Sequence, residues 1–346
     1  MKHLNLYMAP AYFFFLLFDF CLADGKVTSF IKRIFGLGIS VISVFLLSFL
    51  PFLLSSSSQF DNKIDGMKSE FQQIMSRLFP FERGLTHAYW APNFWALYNT
   101  LDKLLTVVLG KVLKVVAIDE KTASLTGGLV GLNQGTHTIL PSITPLITII
   151  LCLGISFSVC FYLIVLSGKT KKKGVQTILL AIVHSVYAFY MFGWHIHEKA
   201  VLSILIPLSV LVTCFSSSEL SREWFRVFSF TSIVGTFSLF PLLFQTKEIP
   251  IRWTVLISFV LFLRHIWYSV PEFNNSGRLF STFERLFLYG LILIEIYQVL
   301  IHQFIFSDRL PFLPLMIVSF YCAVGLHYSW LKIFSISTFS IKEKSN

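Results

Sequence analysis

Nine runs of apolar residues, each near the length of a membrane-crossing helix, dominate this chain: 4–22, 34–54, 142–166, 175–193, 200–215, 226–244, 253–270, 286–306 and 312–333. An α-helix rises about 1.5 Å per residue, so roughly 20 apolar residues cover the ~30 Å hydrocarbon layer of a bilayer. Breaks between the runs fall at polar or turn-forming clusters such as Ser55–Ser58, Ser216–Ser218 and Pro271–Gly277. Hydrophobic residues make up 55% of the chain and charged residues 13%. Soluble domains average roughly 45–50% and 25%. The expected fold class is therefore an all-α polytopic membrane protein with about nine transmembrane helices.

The net charge of +10 is spread singly or in short runs between the apolar stretches. That distribution suits membrane topology, with no nucleic acid as partner. One set of short loops carries Lys26, Lys32, Arg33, the lysines of 169–173, Arg222, Arg226, Arg278 and Arg285. The other set carries Lys199, Lys247, Arg252 and Arg309, mostly beside an acid. The positive-inside rule places the first set in the cytosol and the second on the far side. The chain then divides into two transmembrane helices (1–54), a far-side loop (55–141), about seven transmembrane helices (142–333) and a cytosolic tail (334–346). The tail ends with lysines at 342 and 344, a pattern resembling the dilysine retrieval signal of endoplasmic-reticulum membrane proteins. The sequon Asn274-Asn275-Ser276 falls on the cytosolic side and is expected to stay unmodified. The five cysteines lie inside apolar runs, without metal or disulfide spacing.

Within 55–141, Phe94, Leu97, Tyr98, Leu101, Leu105, Val108 and Val112 recur at three- and four-residue spacing, opposite Asn99, Lys103 and Thr106. This periodicity predicts an amphipathic helix lying in the membrane interface.

Two patches could carry chemistry. Residues 77–99 bring Arg77, Arg83, His87, Trp90 and Asn93 together with several other aromatics. Arginine grips phosphate through a planar, permanently charged fork, and aromatic faces suit sugar rings. An aromatic belt with snorkelling arginines has the same composition. The second patch is the turn holding Trp194, His195, His197, Glu198 and Lys199, on the same side as the long loop. A polar hairpin also needs such residues. Ionisable groups at membrane depth nonetheless tend to mark function. Glu295, mid-span, must face protein, and His184 and His327 read as hydrogen-bonded core residues. From the residues alone, the far side offers a site suited to a lipid-linked phosphate or sugar.

The run RLFPFERGLTHAYWAPNFWALYN (77–99) resembles the signature of the endoplasmic-reticulum α-1,3-glucosyltransferases that use dolichyl-phosphate-glucose. HAYWAPNFWALYN, FGWHIHEKA (192–200), SLFPLLF (238–244) and YCAVG (321–325) resemble the branch adding the second glucose. The resemblance implies a GT-C fold with its site on the lumenal face of the endoplasmic-reticulum membrane. It also implies inverting transfer of glucose from dolichyl-phosphate-glucose to a monoglucosylated dolichol-diphosphate-linked oligosaccharide, forming an α-1,3 bond, with no metal or cofactor. By the same resemblance His197 contacts the donor phosphate, and Glu198 and Lys199 order that contact. Arg77 and Arg83 help hold phosphate, while Trp90, Asn93 and His87 border the sugar.

The chain opens MKHLNLYMAPAYF, a stretch that lies well inside the family's full-length proteins. Inverting transfer needs a carboxylate to take the acceptor hydroxyl's proton. The family's base motif is not occupied by Asp61, Asp65, Glu70, Glu82, Asp102, Asp119 or Glu120. No catalytic base is therefore identified here; it is expected in a preceding N-terminal portion, and transfer is expected to require that portion. The rival expectation is an inactive, shortened membrane protein of the same family. A transporter built on paired, related halves finds no internal repeat to support it.

Overall fold

The computed structural model describes residues 3–57, 63–79, 81, 83–87, 89–113, 137–166, 175–214, 218–274, 277–307 and 309–345. The described residues form helices and no strands. In chain order these are α1 (Ala9–Phe15), α2 (Val27–Ser57), α3 (Lys63–Leu78), α4 (Phe94–Leu105), α5 (Pro145–Phe161), α6 (Val175–Phe192), α7 (Leu202–Val212), α8 (Ser218–Phe237), α9 (Ile249–Ser269), α10 (Pro271–Asn274), α11 (Thr282–Ile296), α12 (His302–Phe306) and α13 (Leu313–Ser345). Each of the nine apolar runs contains helix. Seven stretches, among the described residues, are long and apolar enough to cross a bilayer. The remaining two are shorter: Asn5–Cys21, where α1 passes into a π-helical turn, and α7, with Pro207 inside it. The lysines of 169–173, the acids Asp61, Glu82, Asp119 and Glu120, the sequon's Asn275 and Ser276, and the side chains of the two tail lysines lie outside the described residues.

Local chemistry starts several helices. Thr144 accepts the Ile147 amide and Pro145 opens α5, both favourable at a first turn. Ser281 and Glu284 form a reciprocal capping box on α11.

Helices α6 and α8 lie at the centre, with α5, α7 and α13 packed around them. Two-thirds of the α8 span is buried, whereas none of the α2 span is, so α2 turns apolar side chains outward on every face. Such a helix suits lipid, which has no preference for polar surface. Tyr187 of α6 stacks on Trp330 of α13 at 5.7 Å. Beside them His184 bonds the Ser337 hydroxyl at 3.1 Å and accepts from the Trp330 indole at 3.3 Å. His327 donates to the Ala323 carbonyl at 2.7 Å. His184 is thus a core residue, while His327 is hydrogen-bonded but only partly buried. Helices α11 and α13 touch at Gly290, where a Cβ would stand 1.9 Å from the Tyr321 hydroxyl.

Two buried carboxylates of α11 are paired with arginines. Glu295 of α11 does face protein: it binds Arg252 of α9, and that guanidinium also donates to the carbonyls of Phe240 and Leu243, each at 3.0 Å. Arg252, counted among loop charges in the sequence, is 5% exposed. Its position lies just inside a helix that begins earlier than the apolar run. Arg226 of α8 reaches Glu284 at 2.9 Å, and the Tyr328 hydroxyl donates to the same carboxylate at 3.1 Å.

Helix α4 forms where the periodicity places it, with its faces reversed from those of a soluble amphipathic helix. Asn99, Asp102 and Thr106 are buried, while Leu101, Leu104, Val107 and Val108 are exposed. The polar face packs on the protein and the apolar face looks outward, the order that a lipid surround favours.

Candidate functional site

The site is made where residues 83–87 meet the turn after α6. Gly193 ends that helix, and a Cβ there would fall 2.5 Å from the Phe189 carbonyl and 2.6 Å from Ile196. Only glycine fits so tight an exit. The turn is then laced to the earlier segment by the backbone. The His195 amide donates to the Leu85 carbonyl at 2.8 Å, and Thr86 and Ile196 form an isolated parallel bridge. Indoles complete the seam: Trp194 donates to the Arg83 carbonyl at 3.0 Å and Trp95 to the Gly193 carbonyl at 3.0 Å.

His195 takes a left-handed backbone, with φ of 51°. Non-glycine residues rarely hold that conformation, and its cost is on the order of 1 kcal/mol or more. The seam supplies the compensation, since its amide bonds Leu85 and its Nδ1 donates to the Gly84 carbonyl at 2.8 Å. A carbonyl can only accept, so Nδ1 carries the proton and Nε2 keeps its lone pair. Burial holds the imidazole below its ordinary pKa; the Gly84 carbonyl opposes that, and the nearby His197, His87 and Arg83 reinforce it. Nε2 is itself buried without a hydrogen-bond partner.

Three imidazoles share the resulting face. His87 and His197 lie with ring centroids 4.4 Å apart, His87 and His195 at 5.7 Å, and His195 and His197 at 5.5 Å. Glu198, 4% exposed, points a carboxylate oxygen at His87 Nδ1 from 4.0 Å. At that distance the two groups face each other without a hydrogen bond, and both atoms are buried. Lys199 follows on the exposed side of the same short turn, and Arg83 is exposed at the other end of the seam.

The ligand atoms of His87, His197 and Glu198 lie within 4.8 Å of one another. Tetrahedral ligands at about 2.1 Å from a metal would stand roughly 3.4 Å apart, so the cluster as it stands is wider than such a site needs. Lys199 and Arg83 add positive charge at the exposed margin of this cluster, while His87 Nδ1 and a Glu198 carboxylate oxygen are buried inside it.

The structure thus brings His87, His197, Glu198, Lys199 and Arg83 to one region. It does not gather all of the expected residues. Arg77 is exposed at the end of α3, and Leu78, Phe79 and Phe81 just after it line a cleft together with Gly193, Trp194 and Ile196 of the turn. Trp90 is 7% exposed and packs on Ala96 and Ala323, with its carbonyl accepting from Ser319 at 2.8 Å. Asn93 caps α4: its Oδ1 accepts the Trp95 amide at 3.0 Å and its Nδ2 donates to the Tyr190 carbonyl at 3.0 Å. These last two hold the loop from within. Sequence reasoning gave His195 no role of its own; the available signal was a second histidine two residues before His197.

Among known proteins, a sequence profile described as the ALG6, ALG8 glycosyltransferase family matches residues 1–333. Three relatives share the name dolichyl pyrophosphate Glc1Man9GlcNAc2 alpha-1,3-glucosyltransferase. The Dictyostelium discoideum protein is 36% identical over 97% of this chain and 57% of its own length. The Arabidopsis thaliana protein is 38% identical over 95% and 61%, and the Mus musculus protein 38% over 100% and 62%. The chain therefore spans about three-fifths of the length of these relatives. No solved structure matches it.

Proposed function

The chain belongs to the ALG6, ALG8 glycosyltransferase family, and from that premise we propose that it serves an inverting α-1,3-glucosyl transfer within the endoplasmic-reticulum membrane. The donor is dolichyl-phosphate-glucose and the acceptor a monoglucosylated, dolichol-diphosphate-linked oligosaccharide, the acceptor class named for its relatives. The lysine and arginine asymmetry supports a site facing the lumen and a C-terminus in the cytosol.

One observation carries this reading: the laced seam that sets His87 and His197 side by side over the buried Glu198 carboxylate. Transfer from a lipid phosphate leaves negative charge on the departing phosphate. Donors already aimed at that charge lower the barrier because they need no reorganisation during the reaction. His197 is the donor-phosphate contact, ordered by Glu198 and Lys199, with Arg83 supplying fixed positive charge. His87 stands at the sugar side. Arg77 acts on the approach to the site, and Trp90 and Asn93 act through the loop they fasten.

The test is glucose transfer from dolichyl-phosphate-glucose to the monoglucosylated acceptor by the protein in its native membranes. His197→Ala should lower the rate by about 10- to 100-fold, the worth of one charge-assisted hydrogen bond. His327→Ala, the same substitution at a partly buried histidine of α13, should lower it far less. Equal losses would remove His197 from the donor site.

A further inference from the structure

A second cavity of about 550 Å³ lies away from the histidine face, between α9 and α11 against the flank of α8. Its size is that of a small-ligand site, roughly 300–1,000 Å³. Leu263 and Leu291, each 2% exposed, belong to its floor, while Ile257 and Leu261 are more than half exposed at its rim. Both helices are candidate membrane spans, so this apolar opening faces laterally into hydrocarbon.

One mouth is different: Arg264, Arg278 and Arg285 all line it. None of the three pairs with a carboxylate among the described residues; the neighbouring Glu284 is taken by Arg226. Arg264 lies over the Tyr268 ring at 5.6 Å. Arg285 donates to the Thr282 hydroxyl at 3.2 Å, and its Nε is buried without a hydrogen-bond partner. Three cations at the end of an apolar groove call for an anion attached to a hydrocarbon chain.

This mouth is not the donor's phosphate site. Tyr89, in the loop that bears His87, donates to the Ser238 carbonyl just past the end of α8. Arg226, which binds Glu284 beside Arg285, lies 12 residues earlier, about 18 Å along a helix. The arginine mouth and the histidine face therefore sit toward opposite ends of α8. By the charge asymmetry the arginine mouth is the cytosolic one.

We infer that the α9–α11 groove binds an anionic glycerophospholipid of the cytosolic leaflet, with its phosphate held by Arg264, Arg278 and Arg285 and an acyl chain laid over Leu263 and Leu291. The inference stands without the reading of the histidine face. Arginine suits the site because its fork bonds phosphate bidentately and stays charged beside lipid.

The test is thermal unfolding of the purified protein in neutral detergent, with phosphatidylinositol, phosphatidylcholine of the same acyl chains, dolichyl phosphate or inorganic phosphate added. Phosphatidylinositol should raise Tm by about 3 °C or more, as a ligand well above its Kd does, and the other three should not. Arg264→Gln/Arg285→Gln should abolish the shift. The exposed Arg278→Gln, which leaves the helices untouched, should reduce it if the double variant fails to fold. Native mass spectrometry should find the anionic lipid retained on the parent protein and lost from the variants. Equal shifts with phosphatidylcholine or dolichyl phosphate, or an unchanged shift in the arginine variants, overturn the proposal.

Discussion

Trp95 of α4 donates its indole N–H to the carbonyl of Gly193, 3.0 Å away at the exit of α6. This bond ties the helix that follows the first half of the site to the turn that forms the second. Trp95→Phe strands a buried carbonyl, which costs about 1–3 kcal/mol, and its smaller ring leaves a cavity that adds to the loss. The expected outcome is a lower Tm together with faster proteolysis near residue 194. A Tm matching the parent's would show that the seam does not depend on this bond.

Gly193→Ala should be worse. The added methyl collides with the Phe189 carbonyl and Ile196, and backbone cannot move aside cheaply. Overpacking of this kind costs about 1–3 kcal/mol. Gly154→Ala, which meets nothing within 4 Å, is the matched control. Thermal unfolding should separate the two, with only the control resembling the parent.

Asp102 gives a pH-dependent prediction. Burial raises the pKa of its carboxyl, but the amides of Leu140, Thr138 and Ile139 outweigh that and hold it below the ordinary 3.8. A carboxylate depressed by folding stabilises fully above its unfolded pKa and loses that contribution as pH falls toward its folded value. Asp102→Asn should therefore cost about 1.5–3 kcal/mol near neutrality, the worth of a hydrogen bond to charge. The gap between variant and parent should narrow on acidification below about pH 4. A gap that stays constant with pH would mean that charge is not what Asp102 contributes.

For Arg252 and Glu295, breaking the pair differs from replacing it. Glu295→Leu leaves a buried guanidinium without its counter-charge, a loss of about 3–5 kcal/mol. Arg252→Met/Glu295→Leu removes both charges and should recover much of that stability. Unfolding of both variants in detergent decides it: a double variant as unstable as the single would show that Arg252 matters chiefly through the Phe240 and Leu243 carbonyls.

Much of this architecture was legible in the residues, because apolar runs of spanning length leave little choice of fold. The placing of His87 and His197 on one surface was also legible, since counting lysines and arginines puts both turns on the same side. The faces of α4 were readable only in part. Periodicity located the helix, but the direction of its polar side depends on whether water or lipid lies beyond, and Asn99 and Asp102 turned inward. Arg252 was misread because a positive-inside count treats any arginine near a helix end as solvent-facing. Asn93 and Trp90 look like binding residues by type; that the amide of Asn93 is used up in capping α4 and bonding Tyr190 follows only from the fold.

The parallel seam has a consequence for biogenesis. Arg83 and the indole that grips its carbonyl are 111 residues apart in the chain. At roughly 5–20 residues per second, the first strip emerges from the ribosome some 5–20 s before its mate exists. During that interval two further hydrophobic segments, α5 and α6, must be threaded into the bilayer while Leu85 and Thr86 wait with unmet backbone groups. The nascent protein therefore passes through a stage at which the surface bearing His87 and His197 is half-built, and a stalled or mis-inserted α6 would strand it there.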